Sequence, residues 1–232
     1  MILPTPIYPF HSTFSIMKKV LIVSVLSSIV LQLSAQVTMR EAWLSMPDSL
    51  LPYLNKNLRL EHVDFVDMNV PSEVRNLLQG EGTMDTLTVD YLSVRLSKNR
   101  TLQMRLFSKT DSTQLICMVN TFRAPEPESS LRFYTTDWQP IDNVPGLPSL
   151  ADPTLLFDTF FECNDTIPSS ELEQLKKMVD PVMVSISLPV DEESVILQLS
   201  TPFLLKDEKE RLDAVLMQRK FKWGADLFKE CK

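Results

Sequence analysis

Two-residue alternation dominates the middle of the chain. Leu92, Val94 and Leu96 alternate with Ser93, Arg95 and Ser97; after a polar tip at Lys98-Asn99-Arg100, Leu102, Met104 and Leu106 alternate with Gln103 and Arg105. Residues two apart share a face of a strand, so this pattern predicts a hairpin with one buried and one wet face. Gln114 to Phe122 carries an apolar run, which predicts a central strand covered on both faces. Leu131 to Thr136 predicts a fourth strand, ending at Asp137-Trp138-Gln139-Pro140. Val182 to Leu188 and Ser194 to Leu199 flank an acidic tip at Asp191-Glu192-Glu193 and predict a second hairpin, and Arg219 to Trp223 alternates as a last strand.

Helical signals surround these strands. Thr38-Met39-Arg40-Glu41 fits a capping box, and Pro47 closes the segment it opens. Leu58 to Met68 reads as a helix. Ser72 to Leu78 reads as a short one, with Ser72 as cap and Gly80 as stop. Ser170-Glu171-Leu172-Glu173 fits a second capping box, with Leu172, Leu175 and Val179 on one face; Asp207 is the cap expected for a helix that buries Leu212, Val215 and Leu216. The fold class expected is α+β: antiparallel sheets with helices packed on one face, a helical N-terminal segment, and a tandem duplication of a small α+β unit as one way to build it.

The stretch 139–153 contains Pro140, Pro145, Gly146, Pro148 and Pro153 and can continue neither a ladder nor a helix. It divides a unit at 36–138 from a second at 154–232. The chain beyond Ala35 is long enough for one sizeable core or two small ones.

Residues 17–35 read as a secretory signal peptide. Met17 precedes Lys18 and Lys19, an apolar run extends from Val20 to Leu33, and Ser34-Ala35 offers a small-residue cut site before Gln36. Residues 1–16 read as a mis-assigned extension. The expected product is periplasmic or secreted, with no membrane span after cleavage near Ala35-Gln36. The whole chain carries a formal charge of −7, and losing Lys18 and Lys19 makes the product more acidic. Nucleic acid is therefore not an expected partner, because phosphate contacts need clustered Lys and Arg. Three cysteines are too few for a disulfide scaffold: Cys117 reads as a core residue, and Cys163 and Cys231 are a pair that could bridge.

The residue inventory narrows the chemistry. Only four glycines occur, at Gly80, Gly82, Gly146 and Gly224, and none forms a phosphate-cradling loop or dinucleotide fingerprint. His62 is the one histidine after the signal, so a multi-histidine metal site is not expected, and it reads as a partly exposed helix residue. Glu61, Asp64 and Asp67 read as the wet side of the same helix. No metal or cofactor is expected. Tyr134, Trp138, Phe221 and Trp223 end two strands. Phe221 and Trp223 read as core, which leaves Trp138, with Tyr134 and Asp137 beside it, as a candidate exposed ligand anchor. Asp48-Ser49-Leu50, Asp85-Thr86-Leu87, Asp111-Ser112-Thr113 and Asp165-Thr166-Ile167 share an Asp-Ser/Thr pattern. The pattern resembles the O-glycosylation acceptor of exported Bacteroidota proteins, which makes Ser49, Thr86, Ser112 and Thr166 candidate modification sites.

Met46-Pro47-Asp48-Ser49-Leu50-Leu51-Pro52-Tyr53-Leu54, Phe133-Tyr134-Thr135-Thr136-Asp137-Trp138 and Phe221-Lys222-Trp223 together resemble an uncharacterised domain-of-unknown-function family of exported Bacteroidales proteins. The resemblance implies a compartment and supplies no catalytic residues. The function expected is a non-enzymatic envelope component that binds a protein or peptide. The alternatives are a carbohydrate-active or hydrolytic enzyme with paired carboxylates, and a glycan- or peptide-binding module.

Overall fold

The capping box at Thr38 forms as its sequence dictates. Thr38 N donates to Glu41 Oε2 at 2.8 Å and Glu41 N donates to Thr38 Oγ1 at 3.3 Å, opening helix α1 (Met39–Ser45). The Thr38 amide and hydroxyl, both donating to the Glu41 carboxylate, hold that carboxyl below its ordinary value. The chain then makes a 3-10 turn (Asp48–Leu50) and enters helix α2 (Lys56–Asp67), capped by the Asn55 side chain accepting from Leu58 N. The computed structural model describes residues 36–123, 125–162, 168–201 and 204–231. The signal segment 17–35 and the stretch 1–16 lie outside the described residues, as do Cys163 and Thr166.

Arg59 of α2 staples the two helices together. Its side chain is buried and donates to Trp43 O (3.0 Å), Leu54 O (2.8 Å), Met46 O and the Asp48 carboxylate (2.9 Å), while Trp43 Nε1 donates back to Arg59 O. A buried guanidinium is tolerated where its donors are satisfied in this way.

Seven strands follow as an antiparallel meander in sequence order: β1 (Glu73–Arg75), β2 (Glu81–Leu87), β3 (Tyr91–Ser97), β4 (Arg100–Ser108), β5 (Gln114–Arg123), β6 (Pro127–Thr135) and β7 (Pro140–Ile141). The β3–β4 hairpin has the expected register, Val94 opposite Leu102 and Leu92 opposite Met104. The expected Ser72–Leu78 helix is corrected: Glu73–Arg75 is a strand, with Val74 buried between two exposed neighbours. Ser72 Oγ donates to the carbonyl of His62 and so caps no helix.

The period of two splits the meander into two faces. Leu102, Met104, Leu106, Ile116 and Tyr134 join a core with α1 and α2. Phe107, Leu115, Cys117, Val119 and Phe133 join a second core on the opposite face. Strand β5 is thus covered on both faces, as its apolar run predicts.

The second core is closed by a four-stranded antiparallel sheet in the order β11-β10-β9-β8. Its strands are β8 (Met183–Ser187), β9 (Ser194–Ser200), β10 (Arg219–Trp223) and β11 (Phe228–Cys231). Val184, Ile186, Val195, Leu197, Phe221, Trp223 and Phe228 face inward. A 3-10 helix (Pro153–Phe160) and helices α3 (Ser169–Lys177) and α4 (Lys206–Asp213) contribute Phe160, Leu175 and Leu212 to the same core. Both helix starts differ from expectation. Helix α3 begins at Ser169 behind Pro168, and α4 at Lys206, where Glu208 Oε2 accepts from Leu205 N and Asp207 is not the cap. Val37–Lys232 forms one compact unit.

Polar bonds join the sheets as well. Arg105 is buried, pairs with Asp90 at 2.8 Å and donates to Pro189 O (2.5 Å) and Val190 O (2.6 Å) in the β8–β9 turn. Ser129 Oγ accepts from Ile186 N, and Gln103 Oε1 from Leu188 N. The outward amides of Ile186 in β8 and of Leu188 just beyond it are therefore satisfied by side chains of the first sheet. The connection after β7 lies along β11: Phe228 N donates to Pro145 O at 2.9 Å, and Gly146, at φ +87°, sits so close that a Cβ would stand 1.8 Å from Phe228 O.

Candidate functional site

The aromatic anchor expected at Trp138 is overturned in its exposure. Trp138 is only 7% exposed, packs 5.4 Å from Tyr134, and donates from Nε1 to Ser45 Oγ of α1 at 3.2 Å. Its backbone turns at φ 61°, which folds the ring back onto the sheet. Tyr134 is buried in the same core, and Asp137 alone of the three faces solvent.

His62 is likewise buried, not half exposed. Nδ1 lies 2.8 Å from Ser72 Oγ and 3.2 Å from Ser72 O. The Ser72 hydroxyl proton goes to His62 O, so Nδ1 carries the ring proton and donates. Nε2 has no partner. Burial, with only the Ser72 carbonyl opposing it, lowers the pKa to about 4. A neutral imidazole wedged against Trp43, 6.5 Å between ring centroids, is a packing element. Glu61, Asp64 and Asp67 form the exposed side of α2, and Asp67 is held by Arg40 in a two-pronged pair. No group of three or more metal-ligating side chains occurs among the described residues.

The glycosylation candidates divide by place. Ser49 and Ser112 are exposed, and Thr86 is half-buried in β2. Asp111 Oδ1 accepts from both the amide and the hydroxyl of Thr113, which holds the turn around Ser112 and keeps the Asp111 carboxyl below its usual range. Cys117 is buried and Cys231 exposed, both with free thiols.

A different surface gathers binding chemistry at one end of the first sheet. Arg100 opens β4, and its Nε donates to Asn120 Oδ1 at 2.9 Å. The guanidinium carbon lies 4.7 Å from the Phe122 ring centroid and 5.3 Å from that of Tyr53, so the cation is stacked against two aromatics. Phe122 is 49% exposed. The backbone carbonyl of Tyr53 accepts from Leu77 N at 2.9 Å, which fixes the β1–β2 loop beside the stack. In that loop Leu77 and Leu78 are 58% and 75% exposed. The loop is braced: Asn76 Oδ1, from a buried residue, accepts from Leu78 N and Gly80 N, and Asn76 N donates to Gly80 O. Sequence reading missed this surface. Lys98-Asn99-Arg100 reads as an ordinary polar tip, and the rings that hold Arg100 come from distant positions.

A shallow groove of about 300 Å³ lies elsewhere, where Ser185 and Gln198 meet Lys209 and Asp213 of α4. Glu126 also lines it and stands 4.0 Å from Lys209.

No described helix is long and apolar enough to cross a membrane. A solved domain of an uncharacterised protein from Porphyromonas gingivalis W83 shares the fold: it superposes with a TM-score of 0.65 at 20% identity, over 85% of this chain and 99% of that one. No curated protein matches. Residues 30–228 match a family described as a protein of unknown function, DUF3256. A match over most of the sequence settles kinship, and the chain belongs to that family.

Proposed function

We propose that this protein is an exported, non-enzymatic component of the cell envelope that binds another protein or peptide through the surface formed by Leu77, Leu78, Tyr53, Arg100 and Phe122. One observation carries the reading: two leucines held out to solvent on a loop whose backbone is already fixed. Exposed apolar side chains on a braced loop lose little conformational freedom on binding, and Leu, Tyr, Phe and Arg together have the make-up of an interface anchor. The export half of the reading is supported by the Met17-Lys18-Lys19 start and its apolar run. A photo-crosslinking residue in place of Leu78, with another in place of exposed Lys229 as control, tests the surface in intact cells. One discrete adduct from position 78, absent from position 229, supports it; equal labelling at both refutes it. The same material tests export by N-terminal sequencing, with the first residue expected near Gln36. It also tests glycosylation by mass spectrometry, with glycan expected at Ser49 and Ser112, the exposed members of the pattern.

A second reading is a hydrolase with paired carboxylates, for which Glu126 and Asp213, both lining the groove, are a candidate pair. Its test is glycoside turnover that is lost on Glu126→Gln and on Asp213→Asn.

A further inference from the structure

Resting on the binding surface just described, we infer that its partner is a polypeptide segment presenting a carboxylate next to an aliphatic side chain, and that the carboxylate is received by Arg100. The inference comes from how the arginines of this chain are used. Each of the others that is buried or half-buried pairs with an acid: Arg40 with Asp67, Arg59 with Asp48, Arg105 with Asp90, Arg219 with Glu230. Arg100 is half-buried as well, in a chain with an excess of acidic residues, yet it makes no ion pair among the described residues. Glu128 stands opposite Phe122 in the β5–β6 register and makes no ion pair with Arg100 among the described residues.

The geometry leaves a receptor of defined shape. Asn120 occupies Nε, and two rings occupy the flanks of the guanidinium. The two terminal nitrogens keep their protons without an acceptor among the described residues. That edge of the fork is the one that matches a carboxylate with two parallel hydrogen bonds. The aromatic stack holds the cation in place before a ligand arrives and lowers the local dielectric, so an incoming charge is felt more strongly than in open water. The loop carrying exposed Leu77 and Leu78 is bonded through the Leu77 amide to the carbonyl of Tyr53, whose ring flanks the cation, and this sets the second requirement, an apolar side chain adjacent to the acid.

Two blocked tripeptides test this, acetyl-Leu-Asp-Leu-amide and acetyl-Leu-Asn-Leu-amide, titrated into the folded protein while NMR follows the Leu77 and Leu78 methyls and the Arg100 Nε–H. They differ in one charge and nothing else of size. The expected result is saturable shifts at all three groups with the Asp peptide and about tenfold weaker binding of the Asn peptide. Arg100→Gln is expected to remove the difference between peptides, and Arg100→Lys, which keeps the charge and loses the fork, to restore only part of it. Equal binding of both peptides at the leucine methyls overturns the carboxylate inference and leaves the surface reading standing. No shift with either peptide overturns the inference too, and the crosslink from position 78 then decides the surface independently.

Discussion

Acid exposes the role of His62. The folded chain holds it as a neutral ring, with Nδ1–H bound to Ser72 and Nε2 facing no acceptor or donor. Protonating Nε2 would place a new N–H and a full charge in an apolar core, and burial lowers the pKa to about 4. The unfolded chain titrates near 6.5. Above 6.5 both states are neutral and the full stability is present. As the pH falls below 6.5 the unfolded state takes up a proton that the folded state refuses, and stability declines until the folded ring titrates. The gap between 6.5 and about 4 amounts to about 3 kcal/mol, a large share of the total for a domain of ordinary stability. The carboxyls held low by partners, Glu41, Asp67, Asp111 and Glu192, contribute their own loss only at lower pH, below their ordinary values of 3.8 to 4.5. Urea unfolding from neutral pH down to roughly 4.5 therefore isolates the histidine. His62→Gln, which cannot titrate, is expected to start less stable and to lose far less over that window. If the two proteins lose stability in parallel between pH 7 and 4.5, the buried neutral ring is not the cause and the reasoning fails.

Three further outcomes are expected. Arg105→Ala removes the cation that joins Asp90 to the β8–β9 turn and leaves two carbonyls without donors, so a loss of about 3–5 kcal/mol is expected in chemical denaturation. Gly146→Ala places a methyl against Phe228 O at a left-handed backbone position and should cost about 2 kcal/mol or more, whereas Gly224→Ala, whose nearest contact is 3.3 Å, should cost under about 1 kcal/mol; thermal melts compare them. Trp138→Phe keeps the packing on Tyr134 and loses the bond to Ser45, so a loss of about 1 kcal/mol is expected in the same melts.

How much of this was readable beforehand follows from what each signal depends on. Strands β3, β4 and β5 announce themselves because most of their buried positions are apolar, with Arg105 and Thr121 as the polar exceptions. Strand β2 does not, because one of its inward positions is Gly82, which adds no hydrophobic signal even though it is buried. Strand β1 is too short for a period to register, and the Ser72 and Gly80 beside it imitate helix punctuation. Strand β11 buries only Phe228. Trp138 misleads because its neighbours Asp137 and Gln139 are polar. The positive φ that returns it to the core is a tertiary outcome, forced by a ring that finds Tyr134 and Ser45. The Arg100 stack is illegible for a related reason. Its parts lie at positions 53, 100, 120 and 122, and only the pairing of β4 with β5 and the placement of the turn after α1 bring them together.

The passage from β7 toward the 3-10 helix works as a cover. Because Pro145 accepts the amide of Phe228, the stretch covers part of the outermost strand of the smaller sheet, which would otherwise present bare backbone to other molecules. A protease that nicks it does not release two halves, since both sheets close over one shared interior. What it frees is an adhesive border, so the nicked protein should stay whole in mass yet begin to self-associate.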